Sequence, residues 1–182
     1  MHIALIAETH FGNTAEIADA LAAGAKQAGA TVSRVDAAAT HLLPGTDLLV
    51  LAAPTHNGGL STPRSRAQAV SQGAPESGRG VREWIASAHL ADGLAAHAVA
   101  TVTGPHSGSA SRAIVDLLNR RGLTASRGDF TVAGSRGPLI EGEIARAREV
   151  GRVLAGGGVP APAPALVAPR ASRRGWLARL LG

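Results

Sequence analysis

Three short apolar runs set the architecture of this chain: Met1–Ala7, Asp47–Ala53 and Ala96–Val102. Each has the length of a strand, lacks a helical period and carries almost no polar face, which is the pattern of a strand buried on both sides. The runs lie too far apart for hairpins, and the segments between them have helical periodicity. A chain of this kind stacks its helices on both faces of a parallel sheet.

The connecting segments fill in that plan. Thr14–Gln27 reads as an amphipathic helix with Ile17, Ala18, Leu21 and Ala25 on one side. Asn13 and Glu16 have the spacing of a capping box, and Gly29 is a stop signal. Thr31–Asp36 is a weaker strand, Arg64–Val70 a short helix, and residues 71–80 a loop rich in Gly, Pro and Ser. Val81–His89 is helical, with Trp84, Ile85 and Ala88 on one face, and Trp84 is expected in the core. Ala110–Arg121 is a helix ended by Gly122. Leu123–Val132 contains the last strand, expected to be short and centred on Phe130–Val132, and Glu141–Leu154 forms the final helix, with Glu141 and Glu143 in its first turn. The expected fold is α/β with five parallel strands, and right-handed crossovers restrict its topology.

Composition limits the chemistry. The hydrophobic fraction of 45% supports a core, but the only aromatics are Phe11, Trp84, Phe130 and Trp176. With no cysteine, disulfides, thiol catalysis and zinc–thiolate sites are excluded. Residues 1–160 hold 14 Lys/Arg against 13 Asp/Glu, whereas residues 161–182 hold four arginines and no acid. The body is thus nearly neutral, without the basic stripe of a nucleic-acid binder. No stretch has the length and apolarity of a membrane span, no charged leader precedes the first strand, and a cytoplasmic location is expected.

The first connection, Thr9-His10-Phe11-Gly12-Asn13-Thr14, stands where open α/β sheets bind ligands, beyond the C-terminal end of a strand. The helix that follows offers unpaired N–H groups and partial positive charge, which suit a phosphate. Gly12 permits close approach, and Thr9, Asn13 and Thr14 can add side-chain hydrogen bonds. The plainer alternative is that Gly12 turns the chain while Asn13 and Thr14 cap the helix. A P-loop lysine and a G-x-G-x-x-G fingerprint are both missing. A phosphoryl-accepting receiver is a poor match, because strand three ends in Ala52-Ala53-Pro54.

The segment "THFGNT" resembles the phosphate loop of the flavodoxin-like family, commonly T-x-T-G-N-T. "APTHNGGLSTPRSRAQAV" (53–70) is similar to the second flavin loop of small actinobacterial-type flavodoxin-domain proteins. "GVREWI" (80–85), "LNRRG" (118–122) and "GPLIEGEIARAREVGR" (137–152) resemble further stretches of the same proteins. The resemblance covers about residues 1–155. It implies a three-layer flavodoxin-like sandwich with strand order 2-1-3-4-5 and binding of FMN. It further implies that Thr9, His10, Phe11, Gly12, Asn13 and Thr14 hold the phosphate, although Phe11 replaces a common threonine. Pro54, Thr55, His56, Asn57, Gly58 and Gly59 would flank the flavin ring on one side. Thr103, Gly104, Pro105, His106 and Gly108 would flank it on the other.

The chain departs from that family in its second and third loops, which lack the usual stacking aromatics. Stacking on an aromatic contributes ~1–3 kcal/mol per base in nucleic-acid systems, so a comparable loss weakens flavin binding. His10, His56 and His106 fall one in each loop after strands one, three and four. They read as flavin contacts, as incidental surface histidines or as a three-histidine metal site; no metal ligand is assigned. His56 and His106 are the candidate proton donors, and no catalytic residue is assigned. Asn57-Gly58-Gly59 is either an ordinary turn or a peptide free to turn over with the protonation state of a flavin.

Residues 156–169 read as a Gly/Pro/Ala-rich linker. Residues 170–182 read as a basic amphipathic tail suited to an anionic membrane, a partner groove or neither. The leading expectation is an FMN protein that transfers electrons, or reduces a small acceptor such as a quinone, with an unknown redox partner and no nucleic-acid partner. The alternatives are a flavin-free interaction module acting through its tail, and a three-histidine metal hydrolase.

Overall fold

The computed structural model describes residues 1–76 and 78–161. Six strands are present: β1 (His2–Ala7), β2 (Thr31–Arg34), β3 (Leu48–His56), β4 (Gly59–Leu60), β5 (Ala95–Val102) and β6 (Ala125–Thr131). Five helices accompany them: α1 (Asn13–Gln27), α2 (Pro63–Ser71), α3 (Val81–Ser87), α4 (Ala110–Asn119) and α5 (Glu143–Ala155). The main sheet is parallel with order β2-β1-β3-β5-β6. This is the expected 2-1-3-4-5 arrangement, its numbering displaced only by the two-residue β4, which pairs antiparallel with the end of β3.

Side-chain alternation along the strands builds the three layers. Ile3, Leu5, Leu48, Val50, Ala52 and Val99 face α1 and α5. Ala4, Ile6, Leu49, Leu51, Ala98 and Ala100 face α3 and α4. Trp84 sits fully buried in the second layer, as expected of a core residue, and Phe130 is fully buried in the first. The helices α1 and α5 come so close that a β-carbon on Gly24 would overlap the Arg148 carbonyl, and one on Gly151 the Leu21 carbonyl.

Two local expectations are corrected. The last strand lies inside the expected span but runs seven residues, longer than a short piece centred on Phe130–Val132. Its start, Ala125-Ser126-Arg127-Gly128-Asp129, is polar. On an edge strand those side chains find polar partners: Ser126 bonds His97 Nδ1 at 2.8 Å, and Asp129 accepts from Ser109 Oγ at 2.7 Å and from Ser111 Oγ at 2.5 Å. The second correction concerns α1. Gly12, not Asn13, is its N-cap, so Glu16 falls one position beyond the place a capping box requires.

No helix among the described residues is long and apolar enough to cross a membrane. Among the described residues, regular structure ends with α5 at Ala155. Most of the expected linker and all of the basic tail, residues 162–182, lie outside the described residues.

Candidate functional site

Parallel strands deliver their following loops to one edge of the sheet. Here the connections after β1, β3, β5 and β6, together with α2, enclose a cleft of about 310 Å³, at the lower end of the ~300–1,000 Å³ usual for ligand pockets.

The first connection supplies Thr9, His10, Phe11, Asn13 and Thr14 to the lining. Gly12 is not in the lining; it turns the chain at φ 91°, a conformation that favours glycine. No side chain caps α1, so its leading N–H groups remain unpaired within the helix. The polar side chains of the loop already have partners: Thr9 Oγ1 accepts from Gly12 N–H at 3.1 Å, and Thr14 Oγ1 lies 2.9 Å from Thr101 Oγ1. Asn13 donates through Nδ2 to the Arg136 carbonyl, 3.0 Å away.

The second connection is a hairpin rather than an irregular loop. Thr55 pairs with Leu60 and His56 with Gly59, around Asn57 at φ 50° and Gly58 at φ 81°. Asn-Gly is the preferred pair for a two-residue hairpin turn, because both positions must adopt positive φ. Pro54, Thr55, His56, Asn57 and Gly58 line the cleft; Gly59 does not.

From the third connection only Thr103 and Ser107 reach the lining, whereas Gly104, Pro105, His106 and Gly108 do not. Ser107 folds the loop onto itself, donating from its N–H and hydroxyl to the Gly104 carbonyl at 3.2 and 2.8 Å. His106 is left exposed. Gly108 instead packs against the Gly58 carbonyl.

Several lining residues were not anticipated: Gln68, Gln72, Thr101, Val132 and Ser135. Two sequence signals pointed to some of them. Gln68 and Gln72 are four apart on α2 and so share a face. Ser135 lies in "AGSRGP", which follows the last strand and so must emerge at the same edge.

His10 and His56 come together, their rings edge to face at 5.2 Å and 82°. His10 is 3% exposed, and His10 Nε2 and His56 Nδ1 are buried without hydrogen-bond partners. His106 does not join them, so the three histidines do not converge. Among the described residues no group of three or more His, Cys, Asp or Glu is arranged to hold a metal ion.

Behind His10 lies an ionic cluster that the sequence did not announce. Glu8 is 6% exposed and accepts from the Val81 N–H at the start of α3 at 2.9 Å and from the Ser61 hydroxyl. Arg66, 5% exposed, lies 3.7 Å from Glu8 and bonds Glu83 at 3.0 Å. Burial lowers the His10 pKa below its ordinary 6.5; the facing Glu8 carboxylate opposes this, while His56 and Arg66 reinforce it. His10 is therefore neutral at pH 7, able to donate from one ring nitrogen and accept at the other. Burial alone would raise the Glu83 pKa, but the Arg66 guanidinium and the Gly80 N–H outweigh it and hold the carboxyl below its usual value.

Known structures share this architecture. A flavodoxin from the domain Archaea superposes with a TM-score of 0.59 at 14% identity, over 86% of this chain and 98% of that one. Two-electron reduced Megasphaera elsdenii flavodoxin gives 0.57 at 19% identity, over 85% and 98%. The fold is flavodoxin-like. A flavone reductase gives 0.56 at 15% identity, over 86% of this chain and 62% of that one. No protein-family model matches the sequence, and no curated protein matches it. The connections that contain residues 9–14, 54–59 and 103–108 all follow the C-terminal ends of parallel strands and so emerge at one edge of the sheet.

Proposed function

We propose that this chain binds FMN in the cleft and acts in electron transfer or in the reduction of a small acceptor such as a quinone. One combination of features carries the reading: the uncapped start of α1 opens onto the cleft that His10 and His56 line, and His56 Nδ1 is buried without a partner. Buried polar atoms in folded proteins are normally satisfied. A ligand with an anionic end suits the start of α1, a heteroatom-rich ring suits the imidazoles, and FMN has both. The flavodoxin and flavone reductase likenesses agree with it.

When bound, FMN supplies the redox chemistry, and the protein supplies position and electrostatics. The backbone N–H groups of Phe11, Asn13 and Thr14 would receive the phosphate, with Thr9, His10 and Gly12 around it. The hairpin from Pro54 to Gly59 would hold the ring on one side. Thr103 and Ser107 would hold the other, on a loop shaped by Gly104, Pro105, His106 and Gly108. His56, which lines the cleft, would serve as a proton donor to the ring, with the exposed His106 outside the lining.

Titrating purified protein with FMN tests the proposal. The expected outcome is stoichiometric uptake, followed by quenching of flavin fluorescence. A colourless protein that takes up no added FMN would leave the second reading, a flavin-free interaction module. The observation favouring that module is the lining itself: among the described residues, Phe11 is its one aromatic side chain beyond the two histidines.

A further inference from the structure

The loop after β6 was not part of the sequence-derived site, yet it is fastened to the phosphate loop at three points. Asn13 Nδ2 donates to the Arg136 carbonyl at 3.0 Å. The Gly137 backbone packs against the Asn13 carboxamide so closely that a β-carbon would overlap it. The Arg136 guanidinium lies over the Phe11 ring, 5.5 Å from its centroid. The loop is also closed on itself, Gly137 N–H bonding the Gly134 carbonyl at 2.9 Å and Ala133 N–H the Pro138 carbonyl at 2.8 Å. Its tip therefore holds a cation in a fixed place above the first loop.

That cation is exposed and makes no ion pair among the described residues. Arg34, Arg66, Arg127, Arg146 and Arg152 each face an acid, whereas Arg136, like the other described arginines, does not. Phe11 stands in the middle of the first loop, offers no hydroxyl and presents a ring face that attracts a guanidinium. Ser135, next to Arg136, and Phe11, beneath its guanidinium, both line the cleft, and Arg136 stands just outside that lining. A guanidinium is always charged and carries five donors suited to phosphate oxygens.

We infer that Arg136 recognises the anionic end group of the cleft's ligand, compensating from the fourth loop for the hydroxyl that Phe11 removes from the first. The ligand class is therefore a phosphorylated flavin in preference to its dephosphorylated form. This rests on the flavin-binding reading above, which it sharpens to a specificity residue.

The test compares FMN with riboflavin on the intact chain, for the wild type, Arg136→Gln and Arg136→Lys, at low and high salt. The wild type is expected to favour FMN, with a preference that shrinks as salt rises. Arg136→Gln is expected to weaken FMN about tenfold, leave riboflavin within about twofold and flatten the salt dependence, while Arg136→Lys retains part of the preference. Equal weakening of both flavins would reduce Arg136 to a packing residue on Phe11 and overturn the inference, as would no change in either. A wild type that binds neither flavin would sink the flavin reading and this inference together, a result distinct from the other two.

Discussion

Gly58 and Gly108 meet backbone to backbone: the space a β-carbon on Gly108 would need is occupied by the Gly58 carbonyl. The hairpin tip and the third loop, two walls of the cleft, thus rest directly on each other.

Gly108→Ala is expected to force those walls apart. Overpacking of this kind costs roughly 1–3 kcal/mol, and Gly108 also sits at φ 74°, which adds to the strain. Gly58→Ala meets only an ordinary contact at 3.9 Å and pays the left-handed backbone term, about 1 kcal/mol. Urea unfolding of the two variants should rank Gly108→Ala as the more damaging, and FMN affinity should fall in the same order. A reversed order would mean that the contact is not a structural constraint.

The α1–α5 crossing leaves no room for side chains at Gly24 and Gly151. Alanine at either position must push the two helices apart along their shared apolar seam. A loss of about 3 kcal/mol or failure to fold is expected, read as a drop in Tm. A variant as stable as the wild type would contradict the close approach.

Arg66 and Glu8 are both nearly inaccessible. Arg66→Met removes the cation and leaves Glu8 buried beside His10, with Ser61 and the Val81 N–H as its only hydrogen-bond partners. Breaking a buried pair on one side costs about 3–5 kcal/mol. Adding Glu8→Gln should restore part of that loss, because the uncompensated charge is gone. Chemical denaturation of both single variants and the double variant measures the coupling; strict additivity would show that the pair does not interact.

His97 is 1% exposed and burial pushes its pKa down to about 4. In the unfolded chain it titrates near 6.5. The folded form binds the proton less readily, so this contribution to stability is complete above pH 6.5 and is lost as pH falls towards 4, up to about 3 kcal/mol in all. His10, also lowered, acts in the same direction. His97→Gln should flatten the decline in stability between pH 6.5 and 4, as measured by urea midpoints across that range. An unchanged pH profile would assign the decline to other groups.

Much of the layer plan was legible because burial on both faces of a strand leaves a continuous apolar run. β1, β3 and β5 all announce themselves in this way. β6 was underestimated because an edge strand need not be apolar, and its Arg127 and Asp129 pair with each other at 3.0 Å. The start of α1 was misplaced by one residue, since Gly12 and Asn13 are both acceptable caps in sequence and only the backbone angle separates them. The site was legible by position on the sheet edge, which topology fixes, and less so by orientation, which local turns fix. His106 illustrates the limit: a bond from Ser107 back to Gly104 decides where it lies. Glu8 was opaque because its partners, Ser61, Arg66 and Val81, are more than fifty positions away along the chain.

The direction of α5 carries one further consequence. The helix starts beside the cleft rim and descends 13 residues, about 20 Å at 1.5 Å per residue, to the opposite pole of the sheet. The last helix of the described residues thus delivers the chain to the pole remote from the cleft, and a tether fixed at Ala155 would start from the far side of the sheet.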